Sequence, residues 1–181
     1  MHELIPAVRI RRRVEELGEE IARDYARSDD LVLVGLLRGS VCFLADLMRA
    51  IDRPLRIECL DLRSYNGYRA GEVIVYSSEL TGLEGADVII VDDVLDRGRT
   101  IQAAIDMARS LGPASVEACT LLRKDVARSP EVSVRYVGFD IGPDFVVGYG
   151  LDYSQRFRNL PFVGIPSASD LSGWTAPPGS P

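Results

Sequence analysis

The chain has 181 residues, 46% of them hydrophobic and 27% charged, with a formal net charge of −6. That length builds one domain with a full core, and the mix of apolar and charged residues argues against a disordered chain. No apolar run approaches the roughly 20 residues that a membrane span needs, and the acidic balance argues against a general affinity for nucleic acid.

The opening Met1-His2-Glu3-Leu4 carries no basic patch followed by an apolar stretch, so it does not read as a secretion signal. The expected location is the cytoplasm, with no membrane or nucleic-acid partner. His2 is the only histidine and stands at a terminus expected to be mobile, which sets aside histidine triads and histidine metal sites. Residues Ile10, Val14, Leu17 and Ile21 recur at helical spacing between basic and acidic neighbours, the pattern of an amphipathic helix. The apolar run Leu31–Leu37 follows Asp29-Asp30 and predicts a buried strand. Ser40 is placed to cap a second helix, with Leu44, Leu47, Met48 and Ile51 on one face. After Pro54 a strand is expected over Leu55–Leu62. The polar, glycine-containing segment Arg63–Gly71 then reads as a loop or loose hairpin, with Glu72–Tyr76 as its return strand.

Val88–Val91 predicts a further buried strand. A helix follows on Ile101, Ala104, Ile105, Ala108 and Leu111, stopped by Gly112-Pro113. Ser115–Leu122 predicts the next strand, and Val134–Phe139 and Phe145–Tyr149 are shorter apolar runs separated by Gly142-Pro143. Helices alternating with apolar strands predict an α/β fold, a mostly parallel sheet covered on both faces. Residues 1–165 are expected to form this single domain. The Pro/Ser/Gly-rich tail, 166–181, is expected to be disordered. Cys42, Cys59 and Cys119 are far apart among apolar neighbours and lack zinc or redox spacing, so they read as buried packing thiols.

The segment richest in chemistry is Val88-Ile89-Ile90-Val91-Asp92-Asp93-Val94-Leu95-Asp96-Arg97-Gly98-Arg99-Thr100. It reads as a strand ending in two carboxylates, then a short loop opening a helix. In open parallel sheets ligands sit at the carboxyl ends of strands, and the amides that open a helix suit a phosphate. The two acids either handle a ribose diol or the water shell of Mg²⁺, or merely terminate the strand.

The string resembles the donor-binding signature of type I phosphoribosyltransferases: an apolar strand, two acids, two apolar residues and an Asp-x-Gly-x-Thr loop. The resemblance implies that Asp92 and Asp93 hold the ribose hydroxyls of 5-phosphoribosyl 1-pyrophosphate. Asp96, Arg97, Gly98, Arg99 and Thr100 would cup its 5-phosphate, and Asp96 would be the general base at purine N7. Two positions depart from the pattern. Arg97 stands where the family has Thr or Ser, and Asp92-Asp93 stands where the purine branch often has Glu-Asp.

From about Leu31 to about Ile165 the chain resembles hypoxanthine–guanine phosphoribosyltransferases in particular. Leu36-Leu37-Arg38-Gly39-Ser40 is similar to their first pyrophosphate loop, which carries a cis peptide at the position of Leu37–Arg38. Arg63-Ser64-Tyr65 looks like the start of a mobile lid containing Ser64 and Tyr65. Lys124, the only lysine beside 20 arginines, matches a donor to the purine 6-oxo group. In Asp144–Tyr153, the resemblance implies that Phe145 stacks on the base and that the Val146 backbone contacts its edge. It places Asp152 at the metal or its waters, and Arg158, with Arg38 and Gly39, on pyrophosphate. Asp92, Asp93 and Asp152 are the implied contacts to Mg²⁺. The resemblance further implies a hood built from the termini, a homodimer or homotetramer, and transfer of ribose 5-phosphate to hypoxanthine or guanine. Rival readings are a relative acting on xanthine or a pyrimidine and a non-catalytic nucleotide sensor. A dinucleotide oxidoreductase is the weakest, since no Gly-x-Gly-x-x-Gly follows a strand.

Overall fold

Alternating apolar runs and helical periodicities become a layered sheet in the computed structural model, which describes residues 1–65, 72–77, 80–126 and 132–172. The chain runs β1 (His2–Ile5), α1 (Ala7–Asp24), β2 (Leu31–Leu37), α2 (Val41–Ala50), β3 (Arg56–Tyr65) and β4 (Glu72–Ser77). It continues as β5 (Asp87–Leu95), α3 (Arg99–Arg109), β6 (Ser115–Lys124), β7 (Tyr136–Ile141), β8 (Val163–Ile165) and α4 (Ala168–Leu171). Six strands form one sheet in the order β4-β3-β2-β5-β6-β7. Five of them are parallel, and β4 pairs antiparallel with β3. The direction of strand addition reverses at β2, so the chain has a switch point between β2 and β5, where α/β sheets bind ligands.

Side-chain alternation builds two cores from the same strands. Leu31, Leu33, Ile89 and Val91 pack with the α1 stripe Ile10, Val14, Leu17 and Ile21 and with Phe43, Leu44 and Leu47 of α2. Val32, Val34, Val88 and Ile90 turn to the other face and meet Ile101, Ala104, Ile105 and Ala108 of α3. Burying each such aliphatic side chain contributes about 1.5–3 kcal/mol, so the central strands anchor the site they end in. Both faces are covered, as the alternation predicts. Among the described residues no helix is long and apolar enough to cross a membrane.

Several boundaries differ from the sequence reading, each for a local reason. Ser40 stands at the N-cap of α2, but its hydroxyl donates to the Leu36 carbonyl at 2.5 Å and closes the preceding turn instead. Arg63, Ser64 and Tyr65 continue β3 because β4 pairs with them, Ser64 opposite Val73 and Tyr65 opposite Glu72. The rest of the expected lid segment, 66–71, lies outside the described residues. β5 runs on to Leu95, so both aspartates lie within the strand, with Asp92 opposite Thr120 of β6. α3 ends at Arg109, leaving Leu111 exposed in the turn beyond it. β7 starts at Tyr136 rather than at Val134.

The ends of the chain are more ordered than expected. β1 and β8 pair antiparallel, His2 opposite Ile165, which fixes the histidine in a strand. This two-stranded sheet is the expected hood. Residues 166–172 also take a defined course. Ser167 and Asp170 form a capping box on α4, each side chain bonded to the other's backbone N–H, and the Met1 amino group lies 2.7 Å from the Asp170 carboxylate. That contact holds the Asp170 carboxyl well below the usual carboxylate range.

Candidate active site

β5 delivers its two aspartates unequally. Asp92 is buried, and its Oδ1 accepts the Asp93 backbone N–H at 3.0 Å. The Asp93 carboxylate accepts the Val94 N–H at 2.8 Å and opens into a cavity. Burial, with the neighbouring Asp93 carboxylate adding to it, pushes Asp92 well above the usual range. Burial also raises Asp93, against the pull of its hydrogen-bond donors and of Arg158. Beyond the strand, Asp96 and Arg97 are exposed. Gly98 begins α3 in the left-handed region, at φ 81°. A side chain there would be strained by that φ and would stand 2.8 Å from Val132 Cγ2, so glycine is needed twice over.

Two more segments meet Asp93. β2 ends in a cis peptide, Leu37–Arg38, the position the resemblance indicated. Gly39 then lies so close to β5 that a Cβ would stand 1.7 Å from Asp93 Oδ2. Gly150, at φ 101°, lies under the same loop, where a Cβ would stand 2.1 Å from the Gly39 carbonyl oxygen. The Gly150 carbonyl accepts a hydrogen bond from Arg158 Nη1 at 2.7 Å, and Arg158 Nη2 is ion-paired to Asp152 at 2.7 Å. Between Gly148 and Gly150, Tyr149 takes φ 52° and donates its hydroxyl to Asp46 of α2 at 2.5 Å. Burial, reinforced by the Asp46 acceptor, pushes the Tyr149 phenol up.

The result is a cavity of about 450 Å³ at the carboxyl ends of β2, β3, β5 and β6. Its cations are Arg38, Lys124 and Arg158, and its carboxylates are Asp61, Asp93 and Asp152. Phe145 is 49% exposed at its mouth, edge-on to Tyr153 with ring centroids 6.0 Å apart. A phenylalanine packed for stability alone would be covered. This one offers a free face to a planar ligand. Lys124 also lines a second cleft, of about 500 Å³, with Asp96, Arg97, Val126 and Pro143. An anionic ligand carrying a flat ring fits this lining of three cations, three carboxylates and an open aromatic face.

A model of the phosphoribosyl transferase domain matches residues 4–154 of the chain. The chain belongs to this phosphoribosyl transferase family. Over 156 residues it is 44% identical to a hypoxanthine phosphoribosyltransferase of Haemophilus influenzae, covering 84% of this chain and 87% of that protein. A bifunctional TilS/HprT protein of Listeria monocytogenes is 39% identical over 90% of this chain, and the match spans 25% of that longer protein. The chain thus spans about a quarter of the length of these bifunctional relatives. A crystal structure of a hypoxanthine phosphoribosyltransferase from Staphylococcus aureus superposes with a TM-score of 0.88 at 36% identity, covering 96% of this chain and 95% of that one.

Within this phosphoribosyl transferase fold, the residues singled out in the sequence, apart from Ser64 and Tyr65 at the end of β3, divide into three groups. Arg38, Gly39, Asp93, Lys124, Phe145, Val146, Asp152 and Arg158 line one cavity. Asp96 and Arg97 open on the adjoining cleft, with Gly98, Arg99 and Thr100 beginning α3 behind them. Asp92 lies beneath the site and lines neither. The sequence reading passed over Asp61, Leu62, Leu151 and Gln155, which also line the main cavity. Asp61 had a signal, an acid inside an apolar run just as in β5, and its register opposite Leu37 puts it beside the cis peptide. Gln155 accepts from Arg158 Nη2 at 3.2 Å, and its backbone N–H donates to Asp152 at 2.8 Å, a turn that spacing alone does not announce.

Proposed function

We propose that the chain transfers the 5-phosphoribosyl group of 5-phosphoribosyl 1-pyrophosphate to N9 of hypoxanthine or guanine, giving IMP or GMP and pyrophosphate. This is a purine-salvage reaction. The observation that carries the reading is the convergence on one 450 Å³ cavity of four separate stretches of chain: Arg38 and Gly39; Asp93; Lys124; and Phe145, Val146, Asp152 and Arg158 together. The family relationship supports the same reaction.

In this mechanism Arg38, Arg158 and the Gly39 amide hold the pyrophosphate, and their positive charge stabilises it as the C1–O bond breaks. The ribose becomes electron-poor, and Asp93 holds its hydroxyls, with Asp92 supporting the Asp93 backbone from beneath. Purine N9 attacks C1 while Asp96 takes the proton from N7. Phe145 stacks on the ring, the Val146 backbone meets its edge, and Lys124 donates to the 6-oxo group. Among the described residues no three His, Cys, Asp or Glu side chains converge into a cage. Magnesium, however, keeps its waters and takes one or two carboxylates with substrate phosphate oxygens, a need that Asp93 and Asp152, both lining this cavity, would meet. Bound there, it would supply further charge neutralisation for the departing pyrophosphate. A cytoplasmic homodimer or homotetramer extends the reading on the family resemblance alone.

The test is a labelled-base assay with donor and Mg²⁺ against hypoxanthine, guanine, xanthine and adenine. Nucleotide should form from hypoxanthine or guanine and not from adenine, whose 6-amine offers Lys124 no acceptor. Failure to form nucleotide from any 6-oxopurine would overturn the reading.

A further inference from the structure

We infer that Tyr149 and Asp46 are positioning residues for Arg158, setting the aim of its guanidinium from outside the cavity. This rests on the transfer reading above and adds to it a residue pair that touches no substrate. The lining of the 450 Å³ cavity passes from Val146 to Leu151 without Tyr149. The Tyr149 side chain is 8% exposed and turns instead, with Asp46, to a separate hollow of about 480 Å³ walled by α1 and α2. There its hydroxyl donates to Asp46 Oδ2 at 2.5 Å. Phe43, Leu44 and Leu47 fix α2 in the core, so the acceptor stands on a rigid element.

The backbone here needs such a hold. Gly148, Tyr149 and Gly150 take φ of 97°, 52° and 101°, three positive values in succession. A tyrosine in that region costs about 1–2 kcal/mol, and such a conformation persists only where its surroundings over-determine it. The Tyr149 N–H donates to the Leu160 carbonyl at 2.8 Å and the Gly150 N–H to the Arg158 carbonyl at 3.0 Å. Both acceptors lie on the segment that carries Arg158, so these bonds join the two stretches to each other. The phenol joins them to α2. The next residue gives the pair its consequence. Arg158 Nη1 donates to the Gly150 carbonyl at 2.7 Å, while Nη2 meets Asp152 at 2.7 Å and Gln155 at 3.2 Å. Gly150 has no side chain to limit its rotation, so the direction of its carbonyl follows the residue before it. Without the Asp46 bond that carbonyl swings more freely, and the guanidinium is less well oriented before an anion arrives. The effect falls on pyrophosphate and spares the base.

The deciding experiment titrates purified wild type, Y149F, R158Q and the double variant with inorganic pyrophosphate, with thermal melts to check that each is folded. Y149F should bind pyrophosphate roughly three- to tenfold more weakly, the scale of one hydrogen bond, while the KM for the purine base stays within about twofold. In the R158Q background the same change should cost less than about twofold, because no guanidinium is left to aim. D46A and D46N ask the same question from α2, and carry the test should Y149F not fold. D46A should match Y149F, and D46N, which keeps an acceptor oxygen for the phenol, should bind pyrophosphate within about twofold of wild type. A purely structural role would instead weaken pyrophosphate equally with and without Arg158. That result overturns the inference, as does unchanged pyrophosphate affinity in Y149F and D46A. Coupling of Tyr149 to Arg158 in a protein that transfers ribose to no base would uphold the positioning role and sink the transfer reading alone.

Discussion

Gly150→Ala should damage the site far more than its buried volume suggests. The new Cβ would stand 2.1 Å from the Gly39 carbonyl oxygen, so the two loops must separate by roughly 1 Å or more to reach ordinary contact. A non-glycine residue at φ 101° adds backbone strain of about 1–3 kcal/mol. The displaced Gly150 carbonyl is the acceptor of Arg158, and displaced Gly39 backs onto the Asp93 carboxylate, so the proposed pyrophosphate and ribose contacts would shift together. Misplacement of about 1 Å costs on the order of a hundredfold in rate. Clash and strain together should lower stability by about 2–4 kcal/mol, or roughly 5–15 °C in Tm. The matched control is Gly85→Ala, at φ 72° with nothing within 4 Å of the added Cβ. It carries a backbone cost of about 1–2 kcal/mol and no clash. Steady-state kcat/KM for the sugar donor and thermal melts of both variants decide the matter. If Gly150→Ala keeps the kcat/KM of Gly85→Ala, the contact between the two loops does not position the site.

Other variants separate the roles of single residues. Asp96→Ala should lower kcat by about a hundred- to ten-thousand-fold with an unchanged melting temperature, because the residue is exposed; near-normal turnover would remove it as the base. Asp92→Asn should stabilise the free protein. A carboxyl raised by burial contributes stability at acid pH that is lost as pH rises through its folded-state value. The gain in Tm should therefore grow from about pH 4 to pH 7, toward roughly 2–4 °C for about 1 kcal/mol, and equal melting temperatures at neutral pH would contradict it. Phe145→Ala should raise the KM for the base about tenfold, with less than about 1 kcal/mol of stability lost, since half its surface is already open; a large drop in Tm would return the ring to the core.

Much of this was legible in the sequence because burial writes itself as periodicity. The α1 stripe and the run Leu31–Leu37 emerge with the residues expected, both being selected by a two-sided core. The site was legible in segments, since each motif is local. Their meeting was not, because the contacts that join Gly39, Asp93 and Gly150 are backbone approaches measured by missing side chains. Glycine spacing shows permissiveness and not proximity. The hood strands β1 and β8 are too short for period-two alternation to register, and the order at residues 166–172 depends on a capping box and a contact with Met1 across the whole chain length. Asp92 and Asp93 are neighbours in sequence, yet a strand turns successive side chains to opposite faces. One is therefore buried and the other lines the cavity.

The hydrogen bond from Tyr149 to Asp46 ties α2 to the candidate site. Tyr149 sits between two glycines, one of which carries the carbonyl that Arg158 donates to, so α2 is joined to this wall of the cavity through a single side chain. Asp46 also contacts Arg49, exposed on the same helix. On the proposed transfer reading, substitutions on that outer face would change how firmly pyrophosphate is held while every cavity-lining residue stays in place.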